Sequence, residues 1–277
     1  MLKISELFIY PIKSLGGIAL SEAEVTDRGF KYDRRWMLID ENNQFLTQRV
    51  HPQMALFKLE MGGDGLSVTH PERGKMHIPF EPVEAQLSEV VIWEDTCQAV
   101  SVSREVDAWF SDALGLTCRL VYMPDSTTRE VDQRYAPKGM ITSFSDAYPF
   151  LIIGQASLDD LNARLEIALP MNRFRPNIVF TGGAAFEEDR MNHIRIGGTI
   201  DFYGVKLCAR CVMTTIDQQS AKKAKEPLKT LASYRSREKK ILFGQNLIHQ
   251  GSGFVKVGDP LEVLSTHTEE RFIVGGS

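Results

Sequence analysis

Cysteine is scarce in this chain: four residues in 277, at positions 97, 118, 208 and 211. That is too few for a disulfide scaffold. The opening "MLKISELFIYPIKSLGG" has neither the continuous apolar core nor the small-residue cleavage site of a signal peptide. No stretch approaches the ~18 apolar residues a membrane span needs. Charge of one sign is lacking too. Thirty-two Lys and Arg face 36 Asp and Glu, a net charge of −4, so nothing in the total favours nucleic acid or an anionic membrane as partner. The expected address is the cytoplasm, with the cysteines kept as thiols. Cys97 and Cys118 stand alone in strand-like or post-helical contexts and are expected to be buried structural thiols.

The length allows one large domain or two modest ones with a sizeable core. The first hundred residues read as short strands. "ISELFIYPI" ends at Pro11, Trp36 to Ile39 and Phe45 to Leu46 flank a turn at Glu-Asn-Asn-Gln, and "KLEMGGDGLSVTHP" and "EVVIWEDTCQAVSVS" each give a strand pair. Short strands at this spacing predict a small antiparallel barrel or sandwich. "SREVDAWFSDALG" predicts a helix capped by Ser103 and stopped by Gly115. Residues 124–147 lose periodicity and read as a long surface segment holding a boundary or functional loop. Then come a buried strand, "YPFLIIG", and a second helix, "SLDDLNARLEIAL", with Ser157 as cap. "NIVFTGG", "IRIGGTIDFYGVKLC" and "GFVKVGDPLEVL" read as strands, the last as the closing strand of a barrel. The fold class is mainly β, mixed with a few helices packed outside two β-rich parts.

The chemistry concentrates in "VKLCARCVMTTID", residues 205–217, where Cys208 and Cys211 stand three apart after a strand. A structural zinc site would need two further ligands, and the nearest histidines are His193 and His249. A redox dithiol would sit at a helix N-terminus, whereas a β-branched run follows here. A single thiolate on a metal already chelated by an organic cofactor needs only one cysteine. A purely structural pair is the fourth reading. Such a cofactor, if phosphorylated, wants cations and backbone N–H groups. Lys13 and Ser14 precede two glycines that would let backbone approach a ligand. Arg34 and Arg35 lie beside Asp33, and Arg49 ends a strand. Arg173 and Arg175, two apart before a strand, would share a face.

Seven segments together resemble the MOSC family with its N-terminal β-barrel domain, the group that includes the amidoxime-reducing components. They are "LFIYPIKSLGG", "DRRWMLID", "FSDAYPFLIIGQASLDDLNARL", "NRFRPNIVFTGG", "CARCVMTTID", "KEPLKTLASYR" and "LFGQNL…VKVGDPLEVL", in family order over nearly the whole chain. The resemblance implies a β-barrel domain over 1–120, a MOSC β-barrel domain with peripheral helices over 121–277, and a molybdenum cofactor between them. By the same resemblance Cys211 is the molybdenum ligand and the catalytic residue, with Cys208 a nearby structural or second thiol. The pterin and phosphate would be held by Lys13, Ser14 and Arg34, and by Asp146, Ala147, Tyr148, Arg175, Asn246 and backbone around Ala209. Asn246 stands where a relative has tyrosine. Ala147 and Tyr148 replace small hydroxylated residues, so contacts there fall to the backbone.

The implied activity is two-electron reduction of N-hydroxylated small molecules such as hydroxylamines, amidoximes and N-hydroxylated base analogues. The tail "STHTEERFIVGGS" carries none of the cysteines of a ferredoxin cluster. Electrons are therefore expected from a separate donor, a ferredoxin, a flavodoxin or a cytochrome b5-like protein. No side-chain acid or base stands out; Asp146 is expected to cap its own turn. The alternative reading is a sulfur carrier holding a persulfide on Cys211 for metal–sulfur cofactor assembly, which would need only a stabilised thiolate.

Overall fold

The computed structural model describes residues 1–82 and 87–268. The end of the chain, 269–277, lies outside them, and with it most of the tail in which no cluster-binding cysteine is found.

The protein is mainly β, and among the described residues its largest sheet has nine strands. Along that sheet run Leu261–Thr266, Met191–Ile196, Ile200–Ala209, Lys240–Gln250, Phe150–Gly154, Ile178–Thr181, Lys3–Ile9 and Ile18–Leu20, with the short Ser236–Arg237 attached to Lys240–Gln250. Phe150–Gly154 and Ile178–Thr181 are parallel. Such a pair needs a crossover, and helix Gln155–Asn162 lies in the connection. Three smaller sheets account for the other strands among the described residues. One joins Trp36–Ile39, Arg119–Tyr122, Asp95–Ser101 and Leu87–Ile92. Another stacks Lys58–Met61, Gly65–His70 and Gly74–Pro79.

The sheets do not divide where the sequence pattern changes. Lys3–Ile9 pairs antiparallel with Ile178–Thr181, and Glu22–Thr26 pairs with Gly253–Lys256. The strand 253–256, expected to close a barrel, is thus tied to the first thirty residues. One core cluster accordingly mixes Leu7, Ile9 and Phe30 with Phe150, Phe202 and Leu247. A second, around Trp36, Phe57 and Phe110, is built from residues 12–122.

Helix Arg104–Leu114 forms as its pattern predicts. Ser103 Oγ accepts the Val106 amide at 3.2 Å, Gly115 ends the helix in the left-handed region, and Val106, Phe110 and Leu114 are buried. The second helix is shorter than predicted. It spans Gln155–Asn162, and Ser157 lies inside it rather than at its cap. The Ser157 hydroxyl donates instead to Glu188 Oε2 at 2.8 Å. Residues 124–147 are irregular but no surface loop, since Arg129, Val131, Thr142, Ser143 and Phe144 are buried. Arg129 holds the segment by donating to the carbonyls of Ser143 and Ser145 and to Asp95. Cys97 and Cys118 are buried, and burial pushes both thiols up to about 11. No helix among the described residues is long and apolar enough to cross a membrane.

Candidate functional site

A cavity of about 660 Å³ opens where strand ends 200–209 and 240–250 meet residues 10–15, 32–36 and 144–148. It brings together all the residues the resemblance implies, Lys13, Ser14, Arg34, Asp146, Ala147, Tyr148, Arg175, Ala209, Cys211 and Asn246, but not Arg35, which donates instead to the Met123 carbonyl and Asp125. Nine lysines and arginines line it against two carboxylates, Asp146 and Glu238. In a chain of net charge −4 this is a strongly positive pocket, suited to an anionic occupant.

Cys208 is the half-buried last residue but one of strand Ile200–Ala209, and Cys211 lies two residues beyond the strand's end. The backbone at Cys211 is extended, φ −124° and ψ −179°, and the run that follows is not a strand but one 3-10 turn, Val212–Thr215. Both cysteines are free thiols. The two thiols have different partners. Arg210 Nη1 donates to Cys208 Sγ at 3.0 Å, and Arg49 Nε donates to Cys211 Sγ at 3.3 Å. Among the described residues no three His, Cys, Asp or Glu side chains converge to hold a metal ion by themselves.

Arg49 joins the thiol to the acidic side of the site. Its Nη2 donates to Asp146 Oδ2 at 2.8 Å, and Asp146 Oδ1 accepts from Lys13 Nζ at 2.6 Å and Trp93 Nε1 at 3.3 Å. Asp146 therefore does not cap its own turn; its carboxylate ties together three side chains from the first hundred residues. Burial by itself would raise that carboxyl, but Lys13 and Arg49 outweigh it and hold the group far below the usual carboxylate range. Lys13 goes the other way. Burial draws its ammonium down to about 8, against the pull of Asp146. Arg49 also stacks its guanidinium 4.7 Å from the centre of the Trp93 ring.

The opposite wall is built on Tyr10. The guanidinium carbons of Arg34 and Arg175 lie 4.4 and 4.1 Å from its ring centre. Burial pushes the Tyr10 hydroxyl up to about 12, and burial draws Arg175 down to about 10. Arg34 is anchored by Asp33 at 2.6 Å and Asn177 at 3.1 Å; Arg175 donates Nη1 to the Leu15 carbonyl at 2.6 Å. Arg175 has φ 55°, and Arg173 sits in a 3-10 turn, so the two do not share a strand face as their spacing predicts. Arg173 instead holds the cysteine loop through the Thr214 carbonyl at 2.9 Å. Ser14, also at positive φ, has a buried hydroxyl oxygen with no partner. The glycines after it serve packing rather than ligand approach. A Cβ on Gly16 would meet the Phe57 carbonyl at 2.6 Å, and one on Gly17 the Tyr10 ring at 2.5 Å.

On the strand side, Asn246 Nδ2 donates to the Lys206 carbonyl at 3.1 Å, opposite an irregularity in the ladder. Tyr148 is buried among Val131, Ala136 and Ile248, and its hydroxyl has no partner. Burial raises that hydroxyl well above the ordinary tyrosine range. Ten non-glycine residues among those described have positive φ, and five of them, Ser14, Arg34, Trp93, Arg175 and Glu238, line this cavity. Strain of this kind persists where surrounding contacts over-determine the backbone, and it gathers at functional sites. Of two residues central to the geometry, Arg49 was one of the candidate cations at strand ends but not in the set the resemblance implies, and Trp93 was not singled out at all.

Residues 1–117 match the MOSC N-terminal beta barrel domain, and residues 140–262 match the MOSC domain. The chain belongs to the MOSC family. Among its relatives, mouse mitochondrial amidoxime-reducing component 1 is 34% identical over 94% of this chain and 82% of its own length. Bovine mitochondrial amidoxime reducing component 2 is 34% identical over 93% and 82%. A rice protein named molybdenum cofactor sulfurase is also 34% identical, over 87% of this chain but 32% of its own length. MOSC membership agrees with the mainly-β architecture and with the order of the seven sequence segments.

Proposed function

We propose that this MOSC protein holds a molybdenum cofactor in the cavity and reduces N-hydroxylated compounds. The observation that carries the reading is a cavity lined by two cysteine thiols, each held by its own arginine, with nine cations to two carboxylates. The residues present fit the group. An unpartnered buried Ser14 hydroxyl and an Arg175 guanidinium with one nitrogen engaged by protein are donors with capacity left for phosphate or pterin oxygens. Cys211 offers a soft ligand. Lys13, Ser14, Arg34 and Arg175 would grip the pterin and phosphate, and Asn246, Ala147, Tyr148 and the Ala209 backbone would border them.

When bound, the cofactor supplies the two-electron redox chemistry. The net reaction takes R–NH–OH, two electrons and two protons to R–NH2 and water, with the electrons from a separate donor protein. Arg49 sets a positive charge against the Cys211 sulfur and holds it in place for a soft metal. Asp146, kept ionised by Lys13 and Arg49, is a fixed anchor for Arg49 rather than a proton donor. Arg173 fixes the loop that carries Cys211.

The reading is tested by reduction of benzamidoxime with a reduced viologen as electron source, using protein produced with molybdate. Turnover by the wild type and its loss in Cys211→Ala are expected; a loaded wild type that reduces no N-hydroxylated substrate contradicts it. The sulfurase relative favours one second reading, a persulfide on Cys211. It predicts a mass increment of one sulfur on Cys211 and no bound pterin.

A further inference from the structure

Residues 222–240 hold eight lysines and arginines against two glutamates, in a chain whose total is 32 against 36. The segment clasps the turn that carries Cys211. On one side Ile216 bridges to Lys223, and the Ala224 amide donates to the Thr215 carbonyl at 3.1 Å. On the other the Arg210 amide donates to the Ile241 carbonyl at 2.7 Å. Beside the first contact Lys222, Lys223, Lys225 and Lys229 are exposed; beside the second, Arg237, Lys239 and Lys240 are exposed. Those last three belong to a hairpin whose turn residues, Glu238 and Lys239, have φ 48° and 62°. Asparagine and glycine are favoured at both positions, so the charged hairpin is held under backbone strain. The segment's ion pairs fall to its arginines, Arg235 with Asp189 and Arg237 with Glu238. Among the described residues none of its six lysines is paired with a carboxylate.

Two exposed apolar side chains adjoin these charges. Val212 follows Cys211, and Val50 follows Arg49, whose carbonyl accepts from Lys223 Nζ at 3.1 Å. Because Arg49 also donates to the sulfur, Lys223 Nζ and Cys211 Sγ are no more than about 14 Å apart. Apolar contacts with a charged rim are the anatomy of a protein interface, and electron-transfer encounters need the least buried area. A single-stranded nucleic acid would want aromatic platforms for its bases. The segment has one aromatic residue, Tyr234, half-buried with the Arg164 guanidinium over its ring. We propose that residues 222–240, with Val50 and Val212, form the docking surface for an acidic electron-carrier protein, which delivers its electrons beside Cys211. The inference rests on the reductase reading and names where its donor binds and by what chemistry. Carboxylates on the carrier meet the unpaired lysines, which steers the encounter and makes it sensitive to salt. Two reduced carriers each give up one electron, and with two protons these convert R–NH–OH to R–NH2 and water.

The test compares wild type with the triple variant Lys222→Glu/Lys225→Glu/Lys229→Glu at equal molybdenum content. A second triple variant, Lys3→Glu/Arg73→Glu/Arg104→Glu, makes the same change in net charge at exposed positions elsewhere. Benzamidoxime reduction is driven in turn by three acidic carriers, a plant-type ferredoxin, a flavodoxin and a cytochrome b5, and separately by saturating reduced viologen. Titration calorimetry gives each carrier's dissociation constant. For the carrier that serves wild type best, kcat/KM is expected to fall at least about tenfold in the first variant, the lower end of electrostatic steering. The second variant should lose less than about threefold, and viologen turnover should be unchanged in both. Raising salt from about 50 to about 500 mM should bring wild type down toward the first variant. Equal loss in both variants overturns the proposal, as does a viologen-active wild type that no carrier can drive. Binding of single-stranded RNA or phosphatidylserine vesicles through these lysines, with no carrier bound, overturns it too. A loaded wild type that viologen cannot drive contradicts the reductase reading. Carrier binding lost in the first variant alone would then leave the docking surface standing, and carrier binding equal in all three proteins would remove it as well.

Discussion

Arg49 Nε lies 3.3 Å from Cys211 Sγ across 162 positions of sequence, and the same guanidinium binds Asp146 at 2.8 Å. One side chain thus couples the Cys211 thiol to the anchor that also holds Lys13. Arg49→Met removes these bonds and leaves the thiol without a facing charge. A roughly tenfold to hundredfold loss of kcat/KM is expected, the range for removing one or two charge-assisted bonds. Arg49→Lys should recover only part of it, because an ammonium cannot reproduce the fork that reaches sulfur and carboxylate together. Steady-state kinetics of the two variants, at equal molybdenum content, check this.

The two cysteines should behave differently. Cys208 bonds to Arg210 and packs beside the cluster around Phe174 and Phe243. Cys208→Ala should keep most of its molybdenum, while Cys211→Ala should keep none. Metal analysis of the purified variants decides; equal loss in both would mean the thiols act as a pair.

Lys13 gives a pH dependence. Burial lowers its ammonium to about 8, so above that pH the folded protein loses a cation facing the proposed phosphate. Molybdenum retention through dialysis should weaken between pH 7.5 and 9, and Lys13→Met should show no such step. The sign for stability is opposite. Between about 8 and the ordinary lysine value the unfolded chain holds the extra proton, so metal-free wild type gains stability relative to Lys13→Met as pH rises through that window. Denaturant titrations at pH 7.5 and 10 measure it.

Glu188 gives a second, away from the cavity. It is fully buried beneath helix Gln155–Asn162, and burial, with Asp189 next, raises its carboxyl well above the ordinary range. The folded state then holds a proton that the unfolded chain releases from its ordinary value upward, so stability falls as pH rises. Glu188→Gln keeps an acceptor for Ser157 and removes the charge. It should be more stable than wild type at pH 8, with the gap closing toward pH 5 in denaturant titrations.

How much of this was legible beforehand follows from the range of the interactions. Helix Arg104–Leu114 could be read because its cap, its stop and its apolar face are all local in sequence. The reach of the site's residue set came from family resemblance, since Lys13, Arg34 and Arg175 look individually like surface cations. Asp146 was misread because its partners lie 133 and 97 positions away. Trp93 was hidden because a tryptophan between Ile92 and Glu94 reads as one more strand residue; only its positive φ and half-exposed ring set it apart. Ser157 matched a cap pattern, but Glu188 is 31 positions on, and that buried carboxyl drew the hydroxyl inward. Nor could pattern show that Lys3–Ile9 completes a sheet with strands from the second half.

The central claim is that Cys211 and the surrounding cations hold a pterin-bound molybdenum. The most direct measurement is molybdenum by mass spectrometry, together with the pterin released and oxidised to its fluorescent form, on folded protein from a molybdate-fed host. The account predicts near-stoichiometric molybdenum and pterin in the wild type and neither in Cys211→Ala. Folded wild type containing neither would contradict it, and an extra sulfur on Cys211 in that protein would identify the persulfide carrier instead.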